Sequence, residues 1–218
     1  MKQHDELVIH ITETGEIKVE DTENGITSYK RIDPSVFIEC VRNSIRVNAV
    51  SSGILPEGVF SYSVGEHDRK RVCIAFPERR SKVIYEKTVY DDFPLPRLVF
   101  GFQLEKERIV SVDLGVTEAG ILKPKSKMYT YPFSNVSGFR LCCGMNKLPD
   151  IKSLHQLVGV MYFIMSMPNN NDHYHHINSK LKLELRALFE TLKDKDTKFY
   201  YTDVLKESGK TLADFARI

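Results

Sequence analysis

Apolar and polar residues alternate through the first part of the chain. The alternation covers Leu7 to Ile11 and Glu16 to Glu20, which are separated by the turn residues Glu13-Thr14-Gly15. A period of two places successive side chains on opposite faces of a strand, and two such runs joined by a short turn with glycine indicate a hairpin. We therefore predict a β-hairpin here, continued by a third strand from Ile26 to Arg31.

A helical pattern follows the hairpin. Asp33 can cap a helix and Pro34 suits its first turn. Apolar side chains then recur at helical spacing, at Val36, Phe37, Cys40, Val41 and Ile45. This spacing predicts a helix with one buried stripe, in which Cys40 has a structural role in core packing.

Four strand-like segments come next. They are Gly58 to Val64, Arg71 to Phe76, Leu98 to Leu104 and Arg108 to Leu114. Short turns at 65–68 and 105–107 predict antiparallel pairing, as in a meander. The segment Lys82 to Val89 fits either a strand or a short helix, and Pro94 and Pro96 predict a break after it because proline cannot donate to a central ladder.

The chain loses its periodicity between Thr117 and Asp150, which is the kind of long loop that usually carries function. Two helices are predicted after it. The first is capped by Ser153 and carries Leu154, Leu157, Val158, Met161 and Met165. The second carries Ile177, Leu181, Leu185, Leu188 and Leu192. The order of elements predicts an α+β fold, with helices packed on one side of an antiparallel sheet.

Composition narrows the class of protein. The formal net charge of +2 on 218 residues gives no nucleic-acid footprint, so we predict no nucleic-acid partner. The first residues lack the apolar run of a secretory signal, and the apolar stretch from Leu154 to Met167 is too short to span a bilayer. Four cysteines without CxxC spacing suit reduced thiols, so a cytoplasmic protein is predicted, without membrane association.

Two of the four cysteines are adjacent. In an extended segment Cys142 and Cys143 point to opposite faces, so at most one of them is expected to be an accessible nucleophile. A thiolate attacks acyl groups well, and nearby positive charge lowers the pKa of a thiol; Arg140 is the nearest candidate. Upstream, the side-chain amide of Asn135 can stabilise an oxyanion or can simply form an Asx turn, and spacing alone does not choose between these roles.

The segment PFSNVSGFRLCCG, residues 132–144, resembles the active-site segment of prokaryotic ubiquitin-conjugating-enzyme-like family D, also described as protein B of a ParB-related, ThiF-related cassette. The family pattern is Pro-Phe-x-Asn-Val, a short turn, and Arg-Val-Cys-x-Gly. The similarity continues in GILPEGVFSYS, in FPLPRLVFGFQLEKERIVSVDL and in GKTLADF. It implies a ubiquitin-conjugating-enzyme-like domain over residues 33–218, an antiparallel meander with flanking helices, preceded by an extra N-terminal β-hairpin extension over residues 1–32.

The resemblance also implies an activity and partners. Cys142 would accept a ubiquitin-like modifier as a thioester and transfer it to an acceptor, and Asn135 would stabilise the oxyanion. The chain would then be a cysteine-dependent ubiquitin-like protein transferase that needs no cofactor or metal. Its partners would be a ubiquitin-like protein, an adenylating activating enzyme of ThiF type and a metallopeptidase that removes the modifier.

The chain departs from related patterns in three places. Eukaryotic conjugating enzymes carry His-Pro-Asn, whereas here Tyr131-Pro132 is followed by Phe133 and Ser134 before the asparagine. The turn after Asn135 is one residue shorter than in the family, which makes Cys143 an alternative thiol. A histidine expected after the first closing helix has no exact match; the nearest histidines are His173, His175 and His176.

Three other interpretations stay open. The same fold can act as a non-catalytic modifier-binding or scaffold domain, with both adjacent cysteines as packing residues. Alternatively, the two thiols and the three histidines of the segment HYHH could supply nitrogen and sulfur ligands to zinc, although adjacent cysteines suit one tetrahedral ion poorly. Finally, Cys142 and Cys143 could form a strained disulfide between neighbours.

Overall fold

The computed structural model describes residues 6–44, 52–65 and 68–217, and the chain forms two units, residues 1–51 and 52–218. Ile45 of the predicted helix stripe and part of the turn predicted at 65–68 lie outside the described residues. The predicted boundary between an N-terminal extension, residues 1–32, and a conjugating-enzyme-like domain, residues 33–218, stays a prediction. Helix α1, Pro34–Ser44, belongs to the first unit.

The first unit contains an antiparallel sheet of three strands in the order β1-β2-β3: β1 Glu6–Ile11, β2 Ile17–Glu23 and β3 Ile26–Ile32. The sheet is followed by α1, whose predicted cap is present: Asp33 Oδ1 accepts a hydrogen bond from the Ser35 N–H at 2.9 Å. The predicted core position of Cys40 is wrong, because Cys40 is exposed, as are Val36 and Val41. Helical spacing shows which side chains share a face, but not whether another element covers that face.

The second unit is an α+β fold with mostly antiparallel sheets. Its strands are β4 Val59–Val64, β5 Arg69–Phe76, β6 Arg79–Tyr85, β7 Thr88–Leu95, β8 Leu98–Glu105, β9 Arg108–Thr117, β10 Lys127–Tyr129, β11 Val136–Ser137, β12 Arg140–Leu141 and β13 Glu207–Thr211. The main sheet has the order β11-β12-β9-β8-β5-β4, and β10 pairs with both β9 and β13. The three long strands β5, β8 and β9 form its centre.

Strands β6 and β7, which lie between β5 and β8 in the sequence, form a separate two-stranded hairpin. The segment Lys82 to Val89, which the sequence left between strand and helix, therefore lies in a strand, a turn and the start of the next strand. The predicted break at Pro94 is wrong, because this residue lies within β7 opposite Arg80. The described residues contain no third strand beside β7, so its outer edge needs no donor, and proline is tolerated at such edges.

Among its described residues, the second unit contains three α-helices: α2 Gln156–Ser166, α3 Leu185–Leu192 and α4 Leu212–Ala216. The Ser153 cap predicted for the first of them is wrong, because α2 begins at Gln156, whose side chain instead accepts the Ser153 N–H. The prediction that Ile177 and Leu181 lie on the same helix as Leu185 is also wrong. Lys182 has a φ of 51° and Glu184 is extended, so α3 cannot begin before Leu185.

The two faces of the main sheet bury different clusters. One face forms the large core with α2, α3 and the single π-helical turn Tyr200–Val204. The other face is covered by α4 in a small cluster: Cys73, Val99, Met128, Leu212, Phe215 and Ala216. The prediction that the helices pack on one side of the sheet is therefore wrong. Cys73 is fully buried. Among the described residues, no helix has the length and apolar character needed to cross a membrane.

Candidate active site

The segment from Val136 to Leu141 forms a tight hairpin of β11 and β12. Val136 lies opposite Leu141 and Ser137 lies opposite Arg140, so the turn consists of Gly138 and Phe139 alone. Gly138 has a φ of 61°, which glycine adopts without the steric cost of a Cβ. This two-residue turn fixes which residues face each other further along the hairpin.

The next pair along the hairpin is Asn135 and Cys142. The Cys142 N–H donates a hydrogen bond to the Asn135 carbonyl oxygen at 2.8 Å, which continues the register of the two strands. This backbone hydrogen bond brings together the main chains of the two residues that the sequence singled out for chemistry.

Asn135 is held by its backbone rather than by its side chain. Its φ is 64°, in the left-handed region that asparagine tolerates better than most residues. Its N–H donates to the Asp172 carbonyl oxygen at 2.8 Å. The side chain is half-buried and makes no hydrogen bond within the part of the chain that the structure describes, so no Asx turn forms there and the amide N–H groups remain available.

A polar loop that follows α2 makes hydrogen bonds to Ser134 and Asn135. Ser134 Oγ donates to Asn169 Oδ1 at 3.0 Å, and Asn169 Nδ2 donates to the Ile84 carbonyl oxygen at 3.1 Å. Sequence reasoning missed Ser134, Asn169 and Asp172 as supports for the site. The run of three asparagines and an aspartate at 169–172 was the available signal, since such residues often hydrogen-bond to nearby backbone.

The two adjacent thiols have different environments. Cys142 is exposed and Cys143 is half-buried. Burial raises the pKa of the Cys143 thiol, and the neighbouring Cys142 raises it further. Cys143 also packs against the large core and lines a cleft of about 820 Å³ beside β9. Cys142 is therefore the more accessible of the two sulfur atoms.

Arg140 was the nearest cation expected to act on the thiol. Its Nε lies 3.2 Å from Asp113 Oδ1, and the Asp113 side chain is only 7% exposed. Arg140 also lies directly opposite Asp113 in the pairing of β12 with β9. Arg140 is therefore held in an ion pair with a buried carboxylate.

The residues of the metal interpretation do not converge. His173, His175 and His176 are exposed, and the described residues include no group of three or more His, Cys, Asp or Glu side chains that could hold a metal ion. No disulfide joins Cys142 and Cys143.

Comparison with known protein families gives a match. A family model described as prokaryotic E2 family D matches residues 42–208. This range covers most of the chain and includes the β11–β12 hairpin, Asn135 and both adjacent cysteines. No curated protein and no solved structure matches the chain.

Proposed function

Because the chain belongs to prokaryotic E2 family D, we propose that it is a ubiquitin-conjugating-like transferase that carries a ubiquitin-like protein as a thioester on Cys142 and passes it to an acceptor. The observation that supports this proposal is the pairing of the exposed Cys142 with Asn135 across the hairpin. A nucleophile and an oxyanion donor must contact the same carbonyl group, and opposite positions on a hairpin allow this.

The proposed reaction has two acyl transfers. In the first, the Cys142 thiolate attacks the thioester carbonyl of the activated modifier, and the thiolate of the activating enzyme leaves. In the second, an acceptor amine attacks the new thioester, the Cys142 thiolate leaves, and the amine gives up a proton to solvent or to a base on the acceptor side. Each step passes through a tetrahedral oxyanion, to which the Asn135 amide donates a hydrogen bond.

The proposal includes partners and a compartment. A thioester of this kind requires a ubiquitin-like protein with an activated C-terminus, which an adenylating enzyme of ThiF type would supply. A metallopeptidase would remove the modifier from its acceptor. These reactions suit reduced thiols, and therefore the cytoplasm.

Removing the Asn135 side chain is expected to slow transfer about a hundredfold to a thousandfold, the usual cost of losing one oxyanion donor. Asn135→Gly is the suitable variant because glycine accepts the φ of 64° without strain. The measurement is the rate at which preformed thioester is discharged to a small amine in a single turnover.

Ser137→Gly is the matched control, since it makes the same backbone change on the same hairpin without touching the proposed donor. It should discharge at nearly the rate of the unmodified protein. Equal losses in the two variants would mean that Asn135 only maintains the hairpin.

Alkylation of the native protein tests the thiol assignment without any partner. Near neutral pH, iodoacetamide should label Cys142 before Cys143, because Cys143 is half-buried and its raised pKa leaves it less thiolate. Cys143 should gain reactivity only as the pH rises toward its pKa, and Cys73 should react only after unfolding. Peptide mass after timed quenching identifies the labelled residue.

Faster labelling of Cys143 would transfer the proposed role to that residue. If both adjacent thiols stay inert until the protein is unfolded, a non-catalytic modifier-binding domain becomes the better account of the fold.

A further inference from the structure

One buried carboxylate on β9 contacts three arginines from different parts of the chain. Asp113 Oδ2 lies 3.0 Å from Arg71 Nη1 on β5 and 3.3 Å from Arg217 Nη2, which directly follows α4. Asp113 Oδ1 lies 3.2 Å from Arg140 Nε on β12. Cys73 lies beside this group on the same face of the sheet, and burial raises the pKa of its thiol.

This carboxylate is firmly held. The side chains of Asp113 and Arg71 are 7% and 8% exposed, and buried charges are stable only with partners. Arg71 Nη2 also donates to the Phe215 carbonyl oxygen at 2.7 Å. Gly101 makes room for this guanidinium, because a Cβ at that position would lie 2.8 Å from Arg71 Nη2. Asp113 therefore has little freedom to move.

The same carboxylate is a main attachment of the Cys142 hairpin to the sheet. Strand β12 is two residues long and pairs with β9 only at Arg140 and Asp113. The Leu114 N–H donates to the Phe139 carbonyl oxygen at 2.7 Å beside this pair. These contacts attach the hairpin to the sheet, in addition to the burial of Val136 and Leu141 in the large core.

We propose that Asp113 is a positioning residue for the transfer reaction. Its ion pair with Arg140 fixes the hairpin on the sheet, so that Cys142 and Asn135 meet the same thioester carbonyl. Arg140 acts in this account as a tether, and not as the cation that activates the thiol. The inference rests on the proposed function, and it adds a residue that touches neither the modifier nor the acceptor.

A double-mutant cycle tests the tether. Arg140→Gln and Asp113→Asn should each slow discharge of the Cys142 thioester about tenfold to a hundredfold, the scale of loss that a misplacement of about 1 Å causes. The double variant should be no slower than the slower single variant, because both changes remove the same interaction. Arg140→Lys should restore part of the rate. Additive losses would overturn the proposal.

Arg217→Gln is the matched control. It removes an ion pair to the same carboxylate at a similar distance, 3.3 Å against 3.2 Å, but from a residue outside the hairpin. Its discharge rate should stay close to that of the unmodified protein. A loss equal to that of Arg140→Gln would show that the charge of the cluster matters and the tether does not. If Asp113→Asn fails to fold, the discharge rates of Arg140→Gln, Arg140→Lys and Arg217→Gln still show whether the Arg140 ion pair positions the hairpin.

Amide hydrogen exchange gives a measurement that needs no modifier. The N–H groups of Cys142 and Leu114 close the hairpin and join it to the sheet, so both should exchange faster in Arg140→Gln and at the original rate in Arg217→Gln. Unchanged exchange together with an upward shift in the alkylation pH profile of Cys142 would overturn the tether in favour of direct activation. If the unmodified protein forms no thioester, the proposed function fails, and exchange still tests the positioning.

Discussion

Cys142→Ala is expected to abolish the thioester adduct with a cognate ubiquitin-like protein, while Cys143→Ala keeps it. The exposed Cys142 lies opposite Asn135 in the hairpin, whereas the thiol of Cys143 is half-buried and has a raised pKa. The measurement is a non-reducing gel after incubation with the modifier, its activating enzyme and ATP. The band of the adduct should disappear on addition of a thiol reductant, as a thioester does.

Cys142→Ala should unfold at nearly the same denaturant concentration as the unmodified protein. An exposed side chain makes few packing contacts, and surface substitutions usually change the free energy of unfolding by less than about 0.5 kcal/mol. Loss of the adduct would then reflect lost chemistry and not a lost fold.

Cys142→Ser tests more directly whether residue 142, and not Cys143, is the nucleophile. A serine there should give either no adduct or a stable ester that resists the reductant, because an alkoxide leaves far less readily than a thiolate. An adduct that persists in Cys142→Ala and is lost in Cys143→Ala would show that Cys143 is the nucleophile.

The pairing of the site residues could be predicted only in part. The resemblance selected Asn135 and Cys142, but the shorter turn left Cys143 as an alternative because hairpin register depends on turn length. The structure closes that turn with Gly138 and Phe139, and this places Cys142, not Cys143, opposite the asparagine. The roles of these residues stay predictions until they are measured.

The Asp113 and Arg140 contact was beyond the reach of sequence patterns. Asp113 occupies an alternating position in a strand segment, where a polar residue usually faces solvent. Its burial depends on α4, which arrives from the far end of the chain and covers this face of the sheet. Contacts between residues so distant in sequence follow from tertiary packing and not from local periodicity.

The errors in the helices have a related cause. Periodicity correctly predicted a helix at α1, but the predicted buried stripe is wrong, because Val36, Cys40 and Val41 are exposed. Ile177 and Leu181 kept helical spacing with the residues of α3, although the backbone at Lys182 turns to a φ of 51°. The strands of the main sheet were easier to predict, since alternation and tight turns are local signals.

Phe189→Ala is expected to lower the free energy of unfolding by about 3–5 kcal/mol, the usual cost of truncating a fully buried phenylalanine. Phe189 of α3 is 0% exposed. Its ring centroid lies 5.0–5.4 Å from those of four other aromatic residues: Tyr85, Tyr90, Phe93 and Phe133. These rings join the β6–β7 hairpin, α3 and the segment before the site, so a cavity here removes packing from all three. Unfolding in urea, followed by circular dichroism, measures the loss.

Phe163→Ala on α2 is the matched control. It also truncates a phenylalanine, but the Phe163 side chain is 42% exposed and leaves no enclosed cavity. Phe163→Ala should lower the free energy of unfolding by less than about 1 kcal/mol, as expected for a partly exposed position. Because Phe133 precedes Asn135 by two residues, Phe189→Ala should also speed amide exchange at Cys142, which Phe163→Ala should leave unchanged. Equal destabilisation by the two variants would mean that the aromatic cluster does not organise the core beneath the hairpin.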